Sequence, residues 1–148
     1  MMTGQDRYST AVHEAGHVVV AWALGLKTIK MTVGISGDGT AGRAEIEKNP
    51  NLPMIDRIAI CSAGLDAQRM LGAPIHGGVG PLYDEAEISN LIEDYSEDEG
   101  EALRHAGNRR SKELLDLHRA KVEHLAEALA ERMELDQAAI DRVLASGQ

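Results

Sequence analysis

The sequence predicts a mostly α-helical fold with a small β-hairpin or sheet, and three observations support this fold class. Apolar residues recur at helical spacing over most of the chain. Only the segments 28–33 and 43–47 have the pattern of short strands. The chain has 148 residues, the size of one ordinary domain, and no linker or repeat divides it, so residues 1–148 are expected to form a single domain.

Helix formers and helix breakers define the elements in the first half of the chain. The first helix is predicted over Asp6–Leu24, with Gly25 where a helix would end. The segments 28–33 and 43–47 flank a Gly-rich stretch, so they are expected to pair as a hairpin with a long loop. A second helix is predicted over Met54–Leu71, after a break that contains two prolines.

The second half is predicted to be helical throughout, apart from one loop. Glycines and prolines over Gly72–Pro81 predict this loop, and a third helix is expected to begin near Asp84. A long helix is predicted from Ser96, which is followed by three acidic residues, to Met133, with two internal glycines as its weak points. The segment Leu135–Leu144 is expected to form a short closing helix.

Charge and cysteine content exclude several classes of protein. The 15 basic and 24 acidic residues give a net charge of -9, which argues against nucleic acid as a partner. No apolar run reaches the roughly 20 residues of a membrane-spanning helix. The N-terminus lacks a secretory signal, so we expect a cytoplasmic protein. The single cysteine, Cys61, is expected to be a buried thiol, and any metal must be held by nitrogen and oxygen.

The residues that point to chemistry are His13, Glu14 and His17, which form an HExxH motif within the first predicted helix. Positions i and i+4 lie on one face of a helix, so both imidazoles can bind the same zinc ion. Glu14 is rotated by about 100° from His13, which brings its carboxylate beside the open position of the metal. There it can act as the general base on a zinc-activated water, as in zinc peptidases.

Two histidines need a third ligand, and the residues alone leave several choices. The metzincin pattern requires Gly at position 20 and His at position 23, but the chain has Val20 and Ala23. An acidic residue on the following helix could complete the site, and Asp56 and Asp66 are available there. The other choice is Asp84, at the predicted start of the third helix.

Four segments, in order along the chain, resemble the peptidase domain of the FtsH-type ATP-dependent zinc proteases. Thr10–Val20 is similar to the HEAGH helix of that family, including the alanine and glycine between the histidines. Ser62–Gly72 resembles its AGRxAEExxxG helix, and Gly77–Asn90 resembles its Gly-rich loop followed by an Asp and a helix. Val122–Leu144 is similar to its C-terminal tail. The resemblance spans nearly the whole chain, and HEAGH is its specific part.

The resemblance implies a zinc metallopeptidase that hydrolyses peptide bonds in unfolded or flexible polypeptides. It assigns the zinc ligands to His13, His17 and Asp84 and the general base to Glu14. A competing interpretation places Asp84 in a capping box with Glu87 at the start of a helix. Nearby residues that could replace Asp84 as the ligand are Glu85, Glu87 and His76.

The chain also departs from this family. It carries no ATPase module, so we expect a stand-alone peptidase domain; a separate ATPase or adaptor and a homo-oligomer stay open as partners. Gln68 and Arg69 stand where the family has an acid pair, and the Gln68 amide oxygen is the available substitute for a carboxylate that orients a ligand histidine. The substrate-binding edge of the family corresponds loosely to Ala41–Ile46, where a peptide would add as an extended strand.

Two other functions stay open. The first is a non-catalytic zinc-binding module that regulates or docks a partner, although such a site has no use for the base Glu14. The second is a helical interaction protein whose C-terminal helix drives oligomerisation and which binds no zinc. The acidic stretch Asp84–Glu101 is expected to be a solvated face, and its alternative role is to bind a basic peptide or a second copy of the chain.

Overall fold

The computed structural model of the protein describes residues 4–34, 42–75 and 79–146. Within these residues the chain forms six helices and three short strands, which confirms the predicted fold class. In chain order the elements are α1 (Gly4–Ala23), β1 (Thr28–Val33), β2 (Gly42–Ile46), α2 (Met54–Leu71), α3 (Val79–Ile92), α4 (Glu97–Leu117), α5 (Arg119–Arg132), β3 (Glu134–Asp136) and α6 (Gln137–Ala145).

The strands form one antiparallel sheet in the order β2-β1-β3. Antiparallel pairing of β1 with β2 confirms the predicted hairpin, whose loop residues 35–41 lie outside the described part of the chain. Sequence periodicity does not reveal β3, because three residues are too short to show an alternation. Leu135 of β3 is buried opposite Met31 of β1, so the closing helix begins at Gln137 rather than at Leu135.

Helix α1 lies at the centre of the core, in contact with α2, with α5 and with the sheet. It supplies fully buried apolar side chains both before and after the HExxH motif: Ala11, Val12, Val18, Val19 and Val20. Burying a side chain of the size of valine contributes roughly 1.5 kcal/mol or more to stability. The motif therefore lies on an element that is held on several sides, which limits the freedom of its polar side chains.

The predicted long helix over 96–133 is wrong in one respect, since it is divided at His118 into α4 and α5. Helix α4 packs mainly on α2, whereas α5 packs on α1, and one straight helix could not cover both surfaces. The two glycines predicted as weak points lie inside α4. A Cβ atom on Gly107 would come within 2.4 Å of Ile58, so this glycine allows α4 to approach α2 closely.

Helix α3 begins at Val79, so the predicted loop over 72–81 is shorter than expected. Asp84 consequently lies inside the helix and not at its start, and the capping box predicted for Asp84 and Glu87 is wrong. A capping box is present instead at Ser96, whose side chain accepts a hydrogen bond from the Glu99 backbone N–H. Within the described parts of the chain, none of the helices is both long enough and apolar enough to span a membrane.

Candidate metal centre

Helix α1 presents His13 and His17 one turn apart, and both side chains point to the same place. The residues are 5% and 8% exposed, and their Nε2 atoms are 3.2 Å apart. The ring planes are nearly perpendicular, at 76°, with ring centroids 4.8 Å apart. Two imidazole nitrogens that converge in this way can supply two of the four ligands of a tetrahedral zinc site.

Asp84 of α3 brings a carboxylate to these two nitrogens. Its Oδ2 atom is 2.8 Å from His13 Nε2 and 3.0 Å from His17 Nε2. These three residues form a group whose ligand atoms all lie within 4.8 Å of one another, although 67 residues separate His17 from Asp84. The side chain of Asp84 is 23% exposed, so the cluster is not sealed from solvent.

The other acidic candidates have different partners. Asp66 accepts hydrogen bonds from Asn108 at 2.8 and 3.1 Å, and Asp56 pairs with Arg110 at 3.2 Å. Glu85 forms an ion pair with Arg104 at 2.7 Å. The remaining substitutes are Glu87, which is exposed, and His76, which lies outside the described residues. All acidic residues after Asp84 in the stretch to Glu101 are exposed, in agreement with the predicted solvated face.

A hydrogen bond to Gln68 fixes the orientation of the His13 ring. Gln68 Oε1 lies 2.9 Å from His13 Nδ1, and Gln68 Nε2 donates to Ser9 Oγ at 3.1 Å. Further acceptors for this amide N–H₂ are the carbonyl oxygens of Ser9 and Pro74. With its nitrogen held by acceptors, the amide must present oxygen to His13, and Nδ1 must therefore carry a proton. The amide oxygen thus supplies the acceptor expected in place of a carboxylate.

A backbone carbonyl plays the same part for His17. Its Nδ1 donates to the Ile60 oxygen at 2.6 Å. Each ring therefore uses Nδ1 as a donor and directs Nε2 at the cluster, which is the tautomer a zinc ligand needs. The donor set, two Nε2 atoms and one carboxylate oxygen, fits zinc in chemistry and in convergence. Ile60 was not among the predicted site residues, because no side-chain pattern reveals the use of a carbonyl group.

The charges within the cluster shift the pKa values of its members. Burial by itself would lower the pKa of His17, but hydrogen bonding to Asp84 and the charges of Asp84 and Glu14 raise it to about 9. Burial would raise the pKa of Asp84, yet hydrogen bonds from His13 and His17 lower it to about 2.

We expect zinc binding to strengthen as the pH rises from about 6.5 to 9. The pKa of His17 is higher in the folded chain than its ordinary value of 6.5, so its protonation stabilises the fold below pH 6.5, and this contribution is lost as the pH rises toward 9. Zinc must displace that proton, so its apparent affinity should rise by up to about tenfold per pH unit over this window. Titration at buffered free zinc checks this, and a pH-independent affinity would contradict it.

Glu14 lies beside the cluster and is itself 7% exposed. Burial raises the pKa of its carboxyl group, while the nearby His17 and His13 act in the opposite direction. The first residue of β2 packs against this side chain: a Cβ on Gly42 would be 2.9 Å from Glu14 Cγ and 3.0 Å from Oε2. A buried carboxylate of raised basicity next to a metal-ligand cluster is suited to accept a proton from water.

Gly64 of α2 is a further site residue, which the sequence analysis left unassigned. A Cβ atom at this position would lie 2.4 Å from His13 Nε2 and 2.5 Å from Cε1. Only a residue without a side chain leaves the His13 ring in its place. The signal available in the sequence was a glycine inside the second helix, where glycine costs about 1 kcal/mol relative to alanine and needs a reason.

The substitution Gly64→Ala is expected to displace the His13 ring and to weaken zinc binding by roughly 10- to 100-fold, the size of effect seen when ligand orientation is lost. The matched control is Gly100→Ala in α4, because a Cβ there would meet Ile92 at 3.4 Å, an ordinary contact. This control should keep zinc affinity and gain up to about 1 kcal/mol of stability from helix propensity. Equal zinc affinity in the two variants would contradict the role of Gly64.

Cys61, one residue beyond Ile60, is only partly exposed. Burial and the charges of Asp84 and Glu87 raise the pKa of its thiol to about 12. A thiol with this pKa is almost entirely protonated at neutral pH and is a poor nucleophile. The prediction that Cys61 is buried is therefore wrong in part, since its side chain is partly exposed, while the raised pKa favours an unreactive thiol.

The chain matches no model of a known protein family and no curated protein. The resemblance to the FtsH-type proteases therefore depends on the four segments quoted above, and the interpretation of the centre depends on its own geometry.

Proposed function

We propose that this protein is a zinc-dependent metallopeptidase that hydrolyses peptide bonds in unfolded or flexible polypeptides. One observation carries the proposal: His13 Nε2, His17 Nε2 and Asp84 Oδ2 converge within hydrogen-bond distance of one another, with the buried Glu14 next to them. Zinc would be held by these three side chains and, when bound, would supply a Lewis acid that activates water and polarises the scissile carbonyl.

The residues of the chain have separate roles in this proposal. Glu14 accepts a proton from the attacking water and later delivers it to the leaving amine nitrogen. Burial raises the pKa of Glu14, which makes its carboxylate a better base. Gln68 and the Ile60 carbonyl accept hydrogen bonds from the two imidazoles and so orient their Nε2 atoms toward the metal position.

The rival function is a zinc-binding module without catalysis. A structural zinc site normally has four protein ligands, and His76, the candidate for a fourth one, lies outside the described residues. The buried Glu14 beside the group favours the peptidase, because a structural site has no use for a base. A separate ATPase or adaptor, self-assembly and a cytoplasmic location are further parts of the same proposal.

Removal of the metal tests the proposal directly. Protein purified without a histidine tag should contain stoichiometric zinc and cleave an unstructured, fluorescently labelled polypeptide. A chelator should abolish this cleavage, and added zinc should restore it. A tightly folded substrate serves as the control and should resist cleavage. Stoichiometric zinc without any hydrolysis would support the zinc-binding module instead, and absence of zinc would support the helical interaction protein.

A further inference from the structure

Ser9 is a polar residue in the core, one helical turn before His13 on α1. It is 0% exposed, whereas serine is usually a surface residue and its hydroxyl is costly to bury without hydrogen bonds. Its Oγ donates to the Pro74 carbonyl oxygen and accepts a hydrogen bond from Gln68 Nε2 at 3.1 Å. Ser9 therefore joins α1 to α2 and to the segment that follows α2.

The end of α2 brings Pro74 to this position. Helix α2 ends at Gly72, whose φ of 65° lies in the left-handed region. The Ala73 N–H then donates to the Gln68 carbonyl oxygen at 2.8 Å, in the pattern by which a left-handed glycine closes a helix. The Pro74 carbonyl consequently lies within reach of both the Ser9 hydroxyl and the Gln68 amide.

The hydrogen atoms available decide how these groups pair. A serine hydroxyl has one hydrogen and a carbonyl oxygen can only accept, so the Ser9 hydrogen is used on Pro74. Toward Gln68, the Ser9 Oγ can then only accept. Gln68 Nε2 also lies 3.3 Å from the Ser9 carbonyl oxygen and 3.4 Å from that of Pro74. Among the described residues, the partners of this nitrogen are thus three oxygen acceptors.

Three acceptors leave one favourable orientation for the Gln68 side chain. In this orientation Oε1 accepts from His13 Nδ1 at 2.9 Å. An amide turned over would place its oxygen against the three acceptors and its N–H₂ group against the His13 N–H. A carboxylate at this position would meet the same acceptors in either orientation, because it has no hydrogen to donate to them.

We propose that Ser9 is a positioning residue of the metal centre, which fixes the Gln68 amide and, through that amide, the His13 ring. The same hydroxyl makes position 68 specific for glutamine, so the acidic residue that the FtsH-type proteases carry there does not suit this chain. This inference rests on the zinc centre of the proposed function, and it does not depend on hydrolysis.

A double-mutant cycle separates this role from a general contribution to folding. Zinc affinity is measured by competition with a chromophoric chelator for wild type, Ser9→Ala, Gln68→Ala and the double variant. We expect Gln68→Ala to weaken zinc binding by about 10- to 100-fold, and Ser9→Ala, which acts one contact further away, by roughly 3- to 10-fold. In the Gln68→Ala background, Ser9→Ala should have no further effect. An equal loss in both backgrounds would overturn the positioning role.

The imidazole N–H groups of the zinc-loaded protein give a second readout. His13 Nδ1 and His17 Nδ1 each donate a hydrogen bond, so each should give a slowly exchanging proton signal in NMR spectra. Ser9→Ala should accelerate exchange of the His13 signal with water. It should leave the His17 signal unchanged, because the acceptor there is the Ile60 backbone carbonyl. An unchanged His13 signal, or equal changes in both signals, would overturn the proposal.

Two further variants complete the test. Ser111→Ala removes an equally buried serine on α4, and it should keep both the zinc affinity and the His13 signal. An effect as large as that of Ser9→Ala would count against a specific role of Ser9. Gln68→Glu should weaken zinc binding by about tenfold, and binding tighter than that of the wild type would overturn the specificity for glutamine. Thermal unfolding of each variant checks that it is folded.

The outcomes separate this role of Ser9 from the proposed peptidase. A protein that binds zinc and cleaves polypeptides, with a zinc affinity that Ser9→Ala leaves unchanged, would overturn the role of Ser9 and leave the peptidase intact. A protein with the expected coupling that cleaves no polypeptide would support the role of Ser9 and remove the peptidase assignment. A wild-type protein that binds no zinc would overturn both.

Discussion

Replacing Glu14 with glutamine is expected to lower kcat/KM for peptide hydrolysis by about 10²- to 10⁴-fold without changing the zinc content. Glutamine has nearly the same shape as glutamate, so it fills the same buried space against Gly42, but its amide cannot accept the proton of an attacking water. The cluster of His13, His17 and Asp84 is left intact by the substitution. The loss should therefore appear mainly in kcat, with metal binding preserved.

The control for this prediction is Glu101→Gln, which removes a carboxylate from an exposed position where it pairs with His105. It should retain the activity of the wild type. Zinc content and thermal stability are measured for all three proteins before rates are compared. Equal hydrolysis by wild type and Glu14→Gln at equal zinc content would refute the general-base role of Glu14.

Replacing Asp84 with asparagine is expected to weaken zinc binding by at least roughly 100-fold and to abolish activity at limiting zinc. The neutral amide oxygen is a much poorer zinc ligand than a carboxylate, and two imidazoles alone do not hold the ion firmly. The metal-free protein should lose stability as well. The Asp84 carboxylate contributes most to the raised pKa of His17, so its removal leaves a buried imidazole without its main charged partner.

Glu87→Gln is the matched control, because Glu87 lies on the same helix and was a candidate ligand in the sequence. It is exposed, and zinc affinity should change little. The measurement is a competition between the protein and a chromophoric chelator of known zinc affinity. If Glu87→Gln weakened zinc binding and Asp84→Asn did not, the ligand set of the proposed centre would be wrong.

Together the two substitutions distinguish the competing functions. A peptidase loses activity in both variants but loses zinc only with Asp84→Asn. A non-catalytic zinc module loses zinc with Asp84→Asn. Its zinc content does not change with Glu14→Gln, although its stability can change. A helical interaction protein would show no zinc dependence in either variant. Zinc at 1,000 times its dissociation constant should add about 4 kcal/mol to the stability of the first two, and nothing to the third.

Local sequence patterns predicted the elements that have a strong and simple signal. Strand β1 and helix α2 have the predicted bounds, Thr28–Val33 and Met54–Leu71. The HExxH spacing predicted that His13 and His17 would share one face of a helix, because i and i+4 positions do so in any α-helix. These features depend on residues that lie within one or two helical turns of each other, so they can be predicted from residues that are close in the sequence.

Long-range packing decided the features that local patterns missed. No proline or glycine at His118 predicts the break between α4 and α5. The break arises because α4 packs on α2 while α5 packs on α1. Strand β3 exists because Leu135 can be buried against Met31, although three residues are too few to form a pattern. In each case a distant partner overrides the local preference.

Local patterns and long-range packing both contribute to the candidate metal centre. His13, Glu14 and His17 could be identified from their spacing, and the family resemblance pointed to Asp84. The residues alone left Asp56 and Asp66 as equal choices, since a carboxylate distant in sequence has no periodic relation to the motif. Only the packing of α3 against α2 brings Asp84 Oδ2 within 2.8 Å of His13 Nε2.

The supporting residues depended entirely on the folded chain. The contacts of the Ile60 carbonyl and the Gly64 Cα with the two histidines depend on how α2 packs against α1, and a backbone atom carries no residue-type signal. The type of chemistry proposed for this protein could therefore be predicted from three residues of α1, namely His13, Glu14 and His17. The position of the third candidate ligand and the orientation of the imidazoles are decided where distant segments meet, because convergence in space is set by packing and not by order along the chain.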